Sequence, residues 1–321
     1  MVTVSVIGCG VWGRNHARVF SELPHTTMKS VVDIDKGSVS ALAQRYHVQN
    51  STDPEKTFSD PDIDAVTICT PTVTHADLAL RAIEAGKHVL VEKPMTNTLK
   101  EAKTLIRAAK KHGVHLSVGF VERFNPAVRE AMRVVDEGTI GRVILAHTRR
   151  VSRWPVRIGD VGVIKDLAIH DIDIANKLFQ AEAATVYSNA GSIQHGFEDY
   201  ANIVMAYPAK RAAIIETNWL TPRKVRTLTV TGTEAIINVE YINQTITIEN
   251  DKQITQPMIQ NAEPLRLELE SFIHSIITDT PPEVTGEDGL KALKVCEAAI
   301  ESAKVGKIVL NNLDTSRCTY V

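Results

Sequence analysis

The stretch Val4-Ser5-Val6-Ile7-Gly8-Cys9-Gly10-Val11-Trp12-Gly13 decides the fold. A short apolar run meets three glycines spaced G-x-G-x-x-G, and Arg14 to Ser21 then reads as the opening of a helix. In that setting Gly8 makes a tight turn, Gly10 lets backbone approach a pyrophosphate, and Gly13 lets the helix pack closely on the strand. Amides at the helix N-terminus face the anion, so Cys9, Val11 and Trp12 join the glycines as candidate cofactor-binding residues. Val31-Val32-Asp33 supplies the second half of the pattern, an acid twenty residues after Gly13, where a carboxylate pairs with two ribose hydroxyls. Asp33 repels a 2′-phosphate and so favours NAD, while Lys36 nearby keeps NADP open.

Working outward, strand-like and helix-like runs alternate as far as residue 120. Val2 to Ile7, Thr27 to Asp33, Ala65 to Cys69, His88 to Val91 and His115 to Gly119 read as strands. Arg14 to Glu22, Val39 to Tyr46, Ala76 to Ala85 and Leu99 to His112 carry helical spacing. This alternation predicts an α/β domain with a doubly wound parallel sheet, ligands lying beyond the carboxyl ends of its strands. Two motifs fall at such ends: Thr70-Pro71 with His75, and Glu92-Lys93-Pro94. Lys93 is the candidate of most consequence, because an ammonium beside a reacting hydroxyl stabilises an alkoxide or relays a proton.

Past Phe120 the pattern changes. Glu122-Arg123-Phe124-Asn125-Pro126 leads a helix to about Glu137. Strands are predicted at Arg142 to Val151, Ala184 to Asn189, Tyr200 to Ala206, Ala212 to Trp219, Arg226 to Thr231, Ala235 to Tyr241 and Thr245 to Glu249, making a large, mostly antiparallel open sheet in an α+β domain. One helix is predicted from Gly162 to Phe179. Its apolar stripe leaves Asp166, His170 and Asp173 together on another face, and an acid one turn before an imidazole suits a histidine that exchanges a proton near neutrality. Arg149, Arg150, Arg153 and Arg157, with Trp154 among them, form a local basic cluster suited to phosphate oxygens and to stacking on a sugar or base. Leu265 to Thr278 and Asp288 to Ala303 read as amphipathic helices packing back on the first domain. The expected division is 1–120 for the dinucleotide, 121–307 for substrate binding and oligomerisation, and 308–321 for an irregular tail.

The 321 residues, 44% hydrophobic and 23% charged with a net charge of -2, describe an ordinary globular chain and argue against a general nucleic-acid or anionic-membrane partner. The N-terminus enters a strand directly, without a signal peptide or apolar span, so a cytoplasmic protein is expected. Cys9, Cys69, Cys296 and Cys318 are scattered, which suggests neither a metal site nor a disulfide framework.

Taken together, Gly8-Cys-Gly-Val-Trp-Gly13, Thr70-Pro71 with His75, Ala85-Gly-Lys-His-Val-Leu-Val-Glu-Lys-Pro94, Arg123-Phe-Asn-Pro126 and Asp166-Leu-Ala-Ile-His170 resemble the Gfo/Idh/MocA oxidoreductases from Val2 to about Lys307. The resemblance implies a nicotinamide cofactor on an N-terminal Rossmann domain and a sugar or cyclitol against the second domain's sheet. It implies that Lys93 polarises the reacting hydroxyl, His170 exchanges its proton and Asp166 orients His170 or the substrate. Arg123, Asn125, Arg149, Arg153 and Trp154 complete the expected substrate set. Arg153-Trp-Pro-Val-Arg-Ile-Gly-Asp-Val-Gly162 also looks like the branch acting on nucleotide sugars, including UDP-N-acetylglucosamine 3-dehydrogenases, which implies oxidation at C3. A dehydrogenase of a free sugar, sugar acid or inositol, and a regulator that binds dinucleotide without turnover, are the alternatives. The open sheet face implies a homodimer or homotetramer.

Overall fold

The first sheet forms where apolar runs too short for helices meet glycine and proline punctuation. Its strands are β1 (Val2–Ile7), β2 (Thr26–Val32), β3 (Gln49–Ser51), β4 (Ala65–Ile68), β5 (His88–Glu92) and β6 (Leu116–Gly119), in the order β3-β2-β1-β4-β5-β6. Every pairing is parallel, and the order reverses between β1 and β4, the arrangement whose switch point accommodates a dinucleotide. All residues of β4 and β6 are buried, as a sheet covered on both faces requires. The cover comes from α1 (Val11–Glu22), α2 (Lys36–Tyr46), α3 (Glu55–Phe58), α4 (Thr72–Glu84) and α5 (Leu99–His112). α5 starts where Thr98 and Glu101 form a reciprocal capping box, and it stops at Gly113 in the left-handed region, φ 66°. The short edge strand β3 has no counterpart in the sequence reading, because its residues Gln49, Asn50 and Ser51 are polar and carry no apolar alternation.

The computed structural model describes residues 1–154 and 160–311 and divides into two compact units, Met1–Phe120 with Leu265–Leu290, and Val121–Pro264 with the chain from Lys291. The break at 120 is where it was expected, but the later chain is shared. α8 (Pro264–Thr278) and the loop after it are in the first unit, where the Ser117 hydroxyl donates to Val284 O at 2.9 Å and Ser117 bridges Thr285. α9 (Gly286–Val305) begins in that unit and continues in the second. No described helix is long and apolar enough to cross a membrane.

The second unit carries a nine-stranded sheet. Its strands are β7 (Val143–Arg153), β8 (Thr185–Gly191), β9 (Tyr200–Tyr207), β10 (Arg211–Asn218), β11 (Leu220–Gly232), β12 (Ile236–Glu240), β13 (Thr245–Glu249), β14 (Ile254–Thr255) and β15 (Val309–Leu310), ordered β14-β13-β12-β11-β7-β10-β9-β8-β15. Among the described residues of this sheet only β7 and β10 pair in parallel. Alternation along β8, β9 and β10 puts Val186, Ile203, Met205, Ala213 and Ile215 in the core, while Tyr187, Val204 and Ile214 face outward. Asn125 caps α6 (Pro126–Asp136) by accepting from the Ala127 amide at 3.0 Å. The helix expected from Gly162 to Phe179 is instead a π turn, Ile164–Ala168, followed by α7 (Ile169–Phe179). The start of the expected tail is ordered too, since Val309 pairs with Val186 as β15 against β8. Arg157, Gly159 and the tail from 312, including Cys318, lie outside the described residues.

Candidate active site

The glycine loop is closed by its own backbone. Gly8 has φ +98°, and a Cβ there would lie 2.7 Å from the carbonyl carbon of Cys69; a Cβ on Gly13 would lie 1.7 Å from Gly8 O. A Cβ on Gly10 would meet nothing within 4 Å, so the loop is tight on the protein side and open where a ligand's phosphates approach. Gly10 is the N-cap of α1, whose first-turn amides have no intrahelical acceptor. Asp33 is held rigidly: its Oδ2 accepts the Cys9 amide at 2.6 Å and its Oδ1 the Asp35 amide at 2.9 Å. Cys9 therefore contributes its backbone; burial, then the Asp33 charge, pushes its thiol up to about 12 and leaves it unreactive. Val11 is exposed at the loop's outer edge, and Trp12 stands edge-on to His16. The open cradle at Gly10 and the anchored Asp33 fit a dinucleotide: the loop would hold its pyrophosphate and Asp33 the ribose hydroxyls.

The ends of β4 and β5 are tied together by His75 on α4. One ring nitrogen lies 2.8 Å from Thr70 O and the other 2.9 Å from Pro94 O, so a fully buried imidazole links Thr70-Pro71 to Lys93-Pro94, joined by a cis peptide. Glu92 is buried. Its Oε1 lies 3.1 Å from His16 Nε2, its Oε2 accepts the Lys93 amide at 3.2 Å, and a Cβ on Gly119 would press on the carboxylate at 3.1 Å. The Glu92 carboxylate thus holds the backbone that carries Lys93.

In the second unit Asp166 and His170 are 3% and 7% exposed, so they do not form a solvated polar face. The Ile169 amide reaches back to Ile164 O, the wider loop of a π turn, a deviation that recurs at functional sites. The turn is supported by Glu198, whose Oε1 accepts the Ile164 amide at 3.3 Å and whose carboxylate occupies the space a Cβ on Gly162 would need. Beneath α7 lies a buried ion network. Arg150 binds both Asp171 oxygens at 2.8 and 2.9 Å and Glu122 Oε1 at 2.7 Å, and Arg226 reaches the same Glu122 oxygen at 2.6 Å. Burial alone would raise the Glu122 carboxyl, but the charges of Arg150 and Arg226 outweigh it and hold the group below its usual range.

Several expected substrate contacts are used elsewhere. Arg123 is buried and pairs with Asp173, its Nε 2.9 Å from Oδ2. Asn125 is 2% exposed, its side chain engaged by the Ala127 amide and by Tyr241 O at 3.0 Å. Arg149 pairs across the sheet with Glu216 at 3.0 Å, opposite it in the β7–β10 register. Of the arginine cluster, Arg150 is committed to the core and Arg153 stays exposed. Trp154 stacks on His195, centroids 3.4 Å apart, with its edge toward Trp219 at 4.3 Å.

Sequence reading passed over His16, Glu122, Glu198 and Arg226. His16 had a usable signal: it lies three residues after Gly13 on the face of α1 that buries Ala17 and Phe20, where an unpaired imidazole would be costly. The other three depend on contacts across 28 to 104 residues, which no local pattern encodes.

A family model described as an oxidoreductase family with an NAD-binding Rossmann fold matches residues 2–120, and one described as the GFO/IDH/MocA C-terminal domain matches residues 128–238. The chain is 34% identical over 337 residues to scyllo-inositol 2-dehydrogenase (NAD(+)) of Bacillus subtilis, covering 98% of this chain and 97% of that protein. Myo-inositol 2-dehydrogenase of Thermotoga maritima is 27% identical, with 93% of this chain and 95% of that protein covered. A solved UDP-N-acetylglucosamine 3-dehydrogenase from Acidithiobacillus ferrooxidans matches with a TM-score of 0.86 at 25% identity, over 94% of this chain and 99% of that one. With both domains matched by their family models, the chain belongs to the GFO/IDH/MocA family of oxidoreductases, and its N-terminal domain is an NAD-binding Rossmann fold.

Proposed function

We propose that the protein oxidises a secondary hydroxyl on an inositol or pyranose ring to the ketone. The observation that carries this reading is Lys93 at the carboxyl end of β5, its amide pinned to Glu92, in the same unit as the anchored glycine loop. Bound NAD supplies the acceptor for the carbinol hydride. The Lys93 ammonium stabilises negative charge developing on the hydroxyl oxygen. His170, in its neutral form, takes the hydroxyl proton and returns it in the reverse direction, with Asp166 orienting the imidazole. An uncharged ring is favoured because Arg123, Arg149 and Arg150 are spent on Asp173, Glu216, Asp171 and Glu122. A nucleotide sugar is the second reading, favoured by the exposed Arg153 beside Trp154. Following NAD reduction with scyllo-inositol, myo-inositol, levoglucosan and UDP-N-acetylglucosamine separates them. Turnover of an uncharged ring that survives Arg153→Ala supports the first; turnover of the UDP-sugar alone, lost in that variant, supports the second. Absence of turnover on the whole panel alongside tight NAD binding would favour a regulator.

The same reading includes self-association. Tyr187, Val204 and Ile214, 42%, 41% and 37% exposed, lie in register across β8, β9 and β10, an apolar row that a second copy of the chain would cover.

A further inference from the structure

The mechanism above leaves unused an imidazole that the first unit buries completely. His16 on α1 is 0% exposed, with Nδ1 2.9 Å from Thr67 Oγ1 and Nε2 3.1 Å from Glu92 Oε1. A carboxylate oxygen only accepts, so the Nε2 hydrogen points at Glu92. In the neutral ring Nδ1 then accepts from the Thr67 hydroxyl. Thr67 Oγ1 in turn lies 3.8 Å from Cys69 Sγ; burial, then the charge of Glu92, pushes that thiol well up, so it stays protonated and can donate. At the far end the other Glu92 oxygen accepts the Lys93 amide at 3.2 Å. Every hydrogen in the chain is thereby satisfied: from the end of β4 through α1 to Glu92, with the Lys93 amide closing on the same carboxylate.

Three elements that bear on coenzyme and substrate meet on this one ring: the glycine-loop helix, the Thr70-Pro71 strand end, and Glu92-Lys93. The space for the carboxylate is made by Gly119, since a side chain there would crowd it. A buried pair of this kind contributes little net stability compared with an apolar replacement, so stability alone gives little reason to have it. We propose that His16 is a positioning residue for Lys93, holding the Glu92 carboxylate so that the lysine's backbone is set relative to the dinucleotide loop. The inference rests on the reading of Lys93 as the group that polarises the reacting hydroxyl.

The test compares His16→Leu, His16→Gln, Thr67→Val, Lys93→Ala and the His16→Leu/Lys93→Ala double variant, each checked for melting temperature and NAD dissociation constant. Turnover uses NAD with whichever of scyllo-inositol, myo-inositol, levoglucosan or UDP-N-acetylglucosamine is oxidised fastest. His16→Leu should lower kcat by about 10- to 100-fold, the scale of a misplaced catalytic group, with KM little changed. Gln, whose amide can still donate to Glu92, should recover most of that loss, and the leucine substitution should have no further effect once Lys93 is alanine. Amide exchange of Lys93, followed by NMR without coenzyme, should quicken in His16→Leu. Unchanged kcat and unchanged exchange would overturn the inference, as would an equal loss in the Lys93→Ala background. If the leucine variant does not fold, the glutamine and Thr67→Val variants decide by the same exchange measurement: protection kept in the first and weakened in the second supports the inference, and identical behaviour of both to the wild type overturns it. A Lys93→Ala variant with wild-type kcat would instead sink the reading of Lys93 itself.

Discussion

The two units build their chemistry in different ways. In the first, the glycine loop, Asp33, Thr70-Pro71 and Glu92-Lys93 all sit at ends of parallel strands, and hydrogen bonds between backbone and buried or part-buried side chains within the unit set each one. In the second, Asp166 and His170 ride on a π turn and helix anchored from below by Arg150, Glu122, Asp171 and Arg226. Strand ends and glycines suffice to shape the nucleotide site of the first unit, whereas the proton-transfer site proposed for the second, on a helix over a mixed sheet, is backed by buried charge. The first should fail through backbone crowding and the second through loss of electrostatic compensation.

The sharpest way to break the first half is Gly13→Val. With a Cβ position 1.7 Å from Gly8 O the loop cannot close, and NAD affinity should drop by at least roughly 100-fold, about 2.8 kcal/mol, in a titration. Near-normal affinity would mean the loop does not carry the coenzyme. For the second half, Arg150→Met strands the buried Asp171 carboxylate and leaves Glu122 to Arg226 alone, and should destabilise the unit by about 3–5 kcal/mol in denaturant unfolding; a loss below about 1 kcal/mol would make the network ornamental by the same yardstick. A smaller effect is expected from pH. Glu122 is held below its unfolded value of about 4.3, so its contribution is present above that pH and disappears as pH falls through the lower folded value. Wild-type unfolding midpoints should therefore drop on acidification below about pH 4 more steeply than those of Glu122→Gln. Ile214→Asp should move stability least, within about 0.5 kcal/mol, while abolishing self-association in sedimentation velocity. An oligomer that persists would remove the open face as the contact.

The same contrast explains what could be read in advance. Glycine spacing, Asp33 and the strand-ending Lys93 are local patterns, so the first sheet and the residues at its strand ends were legible, apart from the polar edge strand β3. Alternation along β8 to β13 likewise announced the second sheet. Arg123, Asn125 and Arg149 look like ligand-binding groups in a string of letters, yet their partners Asp173, Tyr241 and Glu216 lie 50, 116 and 67 residues away. An arginine's local neighbours do not reveal whether its charge is needed by a substrate or by a distant carboxylate. The π turn was hidden for a related reason: the helical stripe from Ile164 to Phe179 is the same whether one turn is widened or not.

On the proposed reading Lys93 acts on the hydroxyl of a cyclic polyol that NAD oxidises. Initial rates of NAD reduction across the inositol, levoglucosan and UDP-sugar panel, measured for the wild type and Lys93→Ala with NAD affinity determined alongside, test it most directly. The account predicts turnover of at least one ring by the wild type and a fall in kcat of about 10²- to 10⁴-fold in the variant with coenzyme affinity retained. A variant that turns over as fast as the wild type would contradict it.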